Sequence, residues 1–207
     1  MSLTTRTLAG VVFISALAGL SAQQGAIDPN AVPVEKEPQH HLVFSNDFIR
    51  VVDARLPPGY KTLSHTHAND NVAITISPGR EDAAAMARIG RAGFSKGGYS
   101  HIATNAGTIE LRFIVVELLP GTGKSTAAAF LDGPAHRLES ENDRVRIYRI
   151  KLAPGESLPE HRHKGAFLAV TVSGGAGPGS FEWHNDGAAN SIQAGPSALE
   201  IVELEPR

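Results

Sequence analysis

The chain of 207 residues contains no cysteine. A disulfide framework is therefore excluded, and so are a thiolate nucleophile and any cysteine-ligated metal centre. An excess of one charge is missing too: 19 Lys and Arg stand against 21 Asp and Glu, a formal net charge of −2. That balance gives no reason to expect nucleic acid or an anionic membrane surface as partner. The longest apolar run, residues 8–20, is too short to span a bilayer comfortably as a helix. Arg6 precedes it, the small residues Ser21 and Ala22 follow, and polar Gln23 and Gln24 come next. This is the layout of a secretory signal over residues 1–22, cleaved after Ala22, with Ala16-Leu17-Ala18 as a second cleavage candidate. The expected product is periplasmic or secreted, with no membrane association once the signal is gone.

Glycine and proline are plentiful, at 21 and 13 residues. They punctuate short runs such as FIRVVDARL, VAITI, RFIVVEL, VRIYRIKL, FLAVTV and LEIVEL, which alternate or are rich in β-branched residues. The pattern predicts an all-β protein with many turns. Residues 80–92, REDAAAMARIGRA, are strong helix formers, and within a small β unit they are expected as a hairpin or short insertion.

The chain also repeats itself. Residues 40–67 and 136–163 superpose without a gap at an offset of 96 residues. His40 falls on His136, Asn46-Asp47 on Asn142-Asp143, Arg50 on Arg146, Pro58-Gly59 on Pro154-Gly155, and His65 and His67 on His161 and His163. Two copies are too few for a solenoid. The expected organisation is a flexible N-terminal lead at 23–37, a first unit at 38–119, a linker at 120–134 and a second unit at 135–207. PGTGKST, beginning at Pro120, has the tail of a phosphate-binding loop, but Leu118 stands where its first glycine belongs. No nucleotide partner is expected, and the stretch reads as a solvated linker.

His65 and His67 sit two apart after a Pro-Pro-Gly turn, so on a strand both rings project from one face. The same parity brings Asn71 to that face, whereas Asp70 points away unless a bulge intervenes. His101, in GGYSHIATNAG, is placed to complete a set from a later strand. These residues resemble the two cupin motifs, G-x5-H-x-H-x3-4-E-x6-G and G-x5-P-x-G-x2-H-x3-N. The first unit shows Gly59, His65 and His67, with Asn71 in place of the glutamate. Its second motif reads Gly90, Lys96 for proline, Gly98, His101 and Asn105. The second unit shows Gly155, His161 and His163, then Phe167 for the glutamate and Gly174. Its second motif is reduced to Gly187 and Asn190, the asparagine standing for the histidine.

The resemblance implies two tandem double-stranded β-helix (jelly-roll) barrels, a bicupin. It also implies one divalent transition metal held by His65, His67 and His101, with Asn71 able to add its amide oxygen as a weak, uncharged ligand. Zinc, iron, manganese, nickel or copper would suit such a set. Without the carboxylate the site is more positive, which favours a small anionic ligand. The second unit, with His161, His163, Phe167 and Asn190, reads as a degenerate site. His184 would join it only in a shifted register, and His40, His41 and His136 read as solvent-facing or hydrogen-bonded. The repeated Asn-Asp and Arg read as turn and pairing residues. Tyr60, Lys61 and Tyr99 are placed near the pocket mouth, and Glu110 and Tyr99 are candidate proton-transfer groups. Arg112 reads either as an inward carboxylate binder or as a surface residue. Two functions follow: a metal-dependent enzyme of dioxygenase or isomerase type acting on a small molecule, or a non-catalytic small-ligand or metal-binding bicupin. Exposed strand edges leave a homodimer open.

Overall fold

A computed structural model of the chain describes residues 27–121, 135–163 and 165–207. The signal expected at 1–22 lies outside these residues, as does the linker from position 122 on. In the N-terminal half, β2 (His40–Ser45), β3 (Ile49–Leu56), β5 (Asp70–Pro78), β6 (Ala92–Ser95) and β8 (Leu111–Leu118) form one sheet in the order β2-β3-β8-β5-β6. A smaller sheet joins β1 (Val32–Pro33), β4 (His65–His67) and β7 (Tyr99–His101). The C-terminal half repeats the scheme. There β9 (His136–Glu141), β10 (Val145–Leu152), β12 (Phe167–Ser173), β13 (Phe181–His184) and β15 (Leu199–Pro206) run in the order β9-β10-β15-β12-β13. The strands β11 (Ser157–Arg162) and β14 (Ala189–Gln193) make the small sheet. The fold is all-β, as the sequence predicts.

Alternate residues of the central strands divide between two cores. On β3, Ile49 and Val51 face one way, while Val52, Ala54 and Leu56 face the other. The first set meets Val72, Ile74, Ile114, Val116 and Leu118 and, from the other half, Val145, Ile147, Leu168, Val170, Val202 and Leu204. The two five-stranded sheets thus pack face to face and share one core. Strands buried on both faces must be apolar at nearly every position, which explains runs such as RFIVVEL. Each Val, Leu or Ile there contributes about 1.5–3 kcal/mol of burial energy. The halves are therefore not two self-sufficient bodies on a tether. Polar ties cross the same boundary: Arg144 pairs with Asp70 at 3.0 Å, Arg149 donates to the Gly90 carbonyl at 2.6 Å, and Arg112 donates to the Pro178 carbonyl at 2.8 Å.

The repeated turn residues do what their spacing suggests. Asn46 Oδ1 accepts from the backbone N–H groups of Phe48 and Ile49, and Asn142 Oδ1 accepts from those of Arg144 and Val145. Gly59 and Gly155 hold φ of 77° and 73° in the two Pro-Gly turns, a conformation that other L-residues resist. The helix-forming stretch yields α1 (Ala83–Met86), capped by Asp82 Oδ1 accepting from Ala85 N–H. It lies between the antiparallel strands β5 and β6, a hairpin with one helical turn at its tip.

One expectation needs correcting. The lead at 23–37 was expected to be flexible, yet its described part is built into the fold. Val32 pairs with His65 across β1 and β4, Val34 and Glu37 are each 1 % exposed, and Asp28 accepts from the Ser64 hydroxyl at 2.8 Å. A charged stretch becomes ordered here because its inward groups find partners, Asp28 on Ser64 and Glu37 on Gln39, His40 and Tyr60.

Candidate metal centres

In the N-terminal half, the two-residue period of β4 turns His65 and His67 to one face, 0 % and 3 % exposed. Strand β7 places His101 directly opposite His65. One ligand atom from each of the three lies within 4.8 Å of the others, and the ring centroids are 4.5–5.3 Å apart. The Nδ1–H of His65 donates to the Leu63 carbonyl at 2.9 Å. That bond fixes the tautomer, so Nε2 carries the lone pair, and this buried Nε2 has no hydrogen-bond partner. An orphaned imidazole nitrogen at the meeting point of three rings is what a metal ion would satisfy.

Burial, reinforced by the other imidazoles, pushes His67 down to about 3 and His101 down to about 4. Burial also lowers His65. All three are therefore neutral at pH 7, the form that ligates metals. Asn71 occupies the expected inward position, 2 % exposed, and its Nδ2 donates to the Tyr99 hydroxyl at 3.3 Å. Tyr99 stacks on His67 at 5.1 Å, and burial raises its pKa further, so it stays protonated. Glu110 is a surface group near Arg55, with a 44 % exposed side chain. It is not part of the site. Arg112 holds Asp53 at 2.9 Å in the contact between the halves, and Asp70 points away toward Arg144.

A fourth imidazole was missed. His40, expected to be solvent-facing or hydrogen-bonded, is hydrogen-bonded and 7 % exposed, with its ring 4.6 Å from that of His65. Its Nδ1 meets Glu37 at 2.6 Å, and Glu37 also accepts from Tyr60 at 2.9 Å. Burial would raise the Glu37 carboxyl, but the bonds from His40, the Gln39 N–H and Tyr60 hold it below the usual range.

The C-terminal half keeps more than the motif suggests. The expected register is present, with His161 opposite Asn190 as His65 is opposite His101. His161 and His163 do not stand alone, however. Ligand atoms of His136, His161, His163 and Glu203 all lie within 4.8 Å of one another. Two of these four groups come from strands outside the motif, β9 and β15. Phe167 does take the glutamate's place, its ring 3.9 Å from that of His163, and His184 stacks on Phe167 at 4.5 Å instead of joining the cluster. The signals were available: His136 repeats His40, and Glu203 and Glu205 alternate within the apolar run LEIVELEP.

Electrostatically the two clusters are opposites. Burial would lower His163, yet Glu203 and Glu205 outweigh it and raise His163 to about 9. Glu203 is held well below the carboxylate range by His136 and His163, against the opposing effect of burial. A cleft of about 190 Å³ opens beside the N-terminal half, lined in part by Arg50, Thr66, Asn69 and Glu117. It is smaller than the roughly 300–1,000 Å³ of typical small-molecule pockets.

No protein-family model matches the sequence, and no curated protein matches it. Solved structures do match. AerE from Microcystis aeruginosa aligns over 83 % of this chain and 98 % of its own, with a TM-score of 0.54 and 10 % identity. The oxalate decarboxylase of Lactobacillus farciminis, solved as a formate complex, aligns over 77 % of each chain with a TM-score of 0.52 and 14 % identity. A cupin 2 conserved barrel domain protein from Leptotrichia buccalis covers 81 % of this chain and 88 % of its own, with a TM-score of 0.50 and 8 % identity. Likeness at such low identity defines the fold, and the fold is cupin-like. Fold alone does not select an activity.

Proposed function

We propose that the chain is an exported, two-unit cupin whose N-terminal unit holds one divalent transition-metal ion through His65, His67 and His101 and acts there on a small anionic molecule. The observation that carries this reading is the buried, partnerless Nε2 of His65, aimed where His67 and His101 converge. When bound, the ion would supply Lewis-acid polarisation of an oxygen ligand. The chain's own part is to orient and to exclude water. Leu63 fixes the His65 ring, Tyr99 stacks against His67, and burial keeps the imidazoles unprotonated. None of the three donors is anionic, so the charge of the ion is left uncompensated, and a negatively charged ligand gains most. Export rests on the Arg6, apolar and small-residue layout of residues 1–22.

Elemental mass spectrometry on purified, tag-free protein tests this. The N-terminal ion is lost in His101→Ala. If His101→Ala leaves the metal content unchanged after incubation with zinc, manganese, iron or copper, the reading fails. A non-catalytic binding protein is the second reading. It is favoured because, among the described residues, no carboxylate joins this cluster and Glu110 sits on the surface. Saturable binding of small carboxylates, with no turnover by the metal-loaded protein, would decide for it.

A further inference from the structure

We infer that the C-terminal half holds a second metal ion, a structural one, through His136, His161, His163 and Glu203. The ligand set is not that of the motif, whose glutamate and third histidine positions are here Phe167 and Asn190. It is rebuilt from a histidine on the first strand of the half and a glutamate on the last. The four side chains are 3 %, 9 %, 1 % and 0 % exposed.

One ligand atom from each of the four residues lies within 4.8 Å of the others. One carboxylate oxygen, Oε2 of Glu203, faces His136 Nε2 at 3.0 Å and His163 Nε2 at 3.0 Å. A divalent ion among the three atoms and the His161 ring serves them all at once. The surroundings are those of ligands already positioned. His161 Nδ1–H donates to the Pro159 carbonyl at 3.2 Å, the counterpart of His65 on Leu63. His163 Nδ1–H donates to Glu205 at 3.2 Å, and Arg146 holds Glu205 at 2.8 Å. Asn190 Nδ2 donates to the other oxygen of Glu203 at 3.4 Å. Ring nitrogens tied to a carbonyl and a carboxylate in this way fix tautomers and direct the opposite nitrogen at the ion.

Donor count and access set the role. Four protein donors close a site, whereas three leave a position for water or substrate. The ring of Phe167 against His163 adds an apolar cover. Glu203 also neutralises one unit of the ion's charge, so this centre has less call for an anionic ligand than the N-terminal one. The ion here braces β9, β11 and β15, while the N-terminal centre is left open for chemistry.

The test is metal stoichiometry in tag-free protein, with folding checked by far-ultraviolet circular dichroism. Wild type should carry about two equivalents of zinc or cobalt and His101→Ala about one. Adding Glu203→Gln to His101→Ala should remove the remaining equivalent or weaken it by about 100-fold or more, and should abolish the metal-dependent rise in melting temperature. Should Glu203→Gln not fold, His136→Gln in the same background decides, since it keeps Glu203 and His163 paired. The inference is overturned if His101→Ala binds no metal, or if its metal survives both Glu203→Gln and His136→Gln. If wild type and His101→Ala both hold one equivalent that Glu203→Gln removes, the C-terminal centre stands and the N-terminal proposal alone falls.

Discussion

Two histidine clusters, each begun by a His-x-His pair at equivalent places in the two halves, have opposite electrostatics. In the N-terminal half, three imidazoles meet without a carboxylate, and burial strips their protons. In the C-terminal half, Glu203 and Glu205 enter from β15, and His163 gains a proton in the metal-free chain. The cross-strand registers locate the difference. Arg50 opposite Glu117 corresponds to Arg146 opposite Glu205, and Val52 opposite Val115 corresponds to Tyr148 opposite Glu203. The clustered carboxylate thus traces to one position, valine in one half and glutamate in the other. A repeated scaffold fixes where ligands can stand, and single substitutions on its inner faces then decide what each site can hold.

The comparison can be broken most severely at Glu203. Glu203→Ala leaves His136 and His163 without their shared carboxylate inside the protein. Removing one member of a buried pair costs about 3–5 kcal/mol, to be read from urea denaturation of metal-free protein. The reciprocal change, Val115→Glu, should destabilise the metal-free chain and regain stability when metal is added, making the N-terminal site resemble its counterpart.

The shared core gives the next largest effect. Ile114→Ala should cost about 2–5 kcal/mol, and the loss should appear in one transition that unfolds both halves together. Two transitions, with only one of them shifted, would show that the halves are energetically separate.

The pH dependence of the metal-free chain should carry both signs. His67 and His101 have folded pKa values of about 3 and 4, below the ordinary 6.5. Between those limits the unfolded chain binds more protons, so this part of stability is complete above about pH 6.5 and is lost as pH falls. His163, raised to about 9, contributes fully below pH 6.5 and loses its contribution as pH rises through 9. Melting temperatures of His67→Gln and His163→Gln across pH 4–10 should separate the acid and alkaline limbs.

The smallest effect tests where the halves agree. Asn46→Ala and Asn142→Ala remove equivalent turn bonds. Each should cost about 1 kcal/mol, with metal content unchanged. A clear inequality would show that the turns are not equivalent.

Much of this was legible in the residues. The 96-residue offset, the Pro-Gly turns and the alternation of the strands carried the all-β repeat, and the spacing of His65 and His67 carried their shared face in the N-terminal histidine cluster. Glu37 and His40 were not legible, because a charged lead looks solvated until Tyr60 is known to stand beside it. His136 was seen to repeat His40, but sequence distance hid its approach to His161 and His163.

The sequence by itself determined which residues share a face, because strand periodicity is local and the hydrophobic pattern records it. It also determined the absence of cysteine chemistry and the absence of a carboxylate at Asn71 and Phe167. Only the tertiary structure decided which faces meet. The packing of the two large sheets into one core and the arrival of Glu203 among three histidines both depend on contacts between strands far apart in the chain. Such contacts are set by pairing register and by burial, and no short window of sequence contains them.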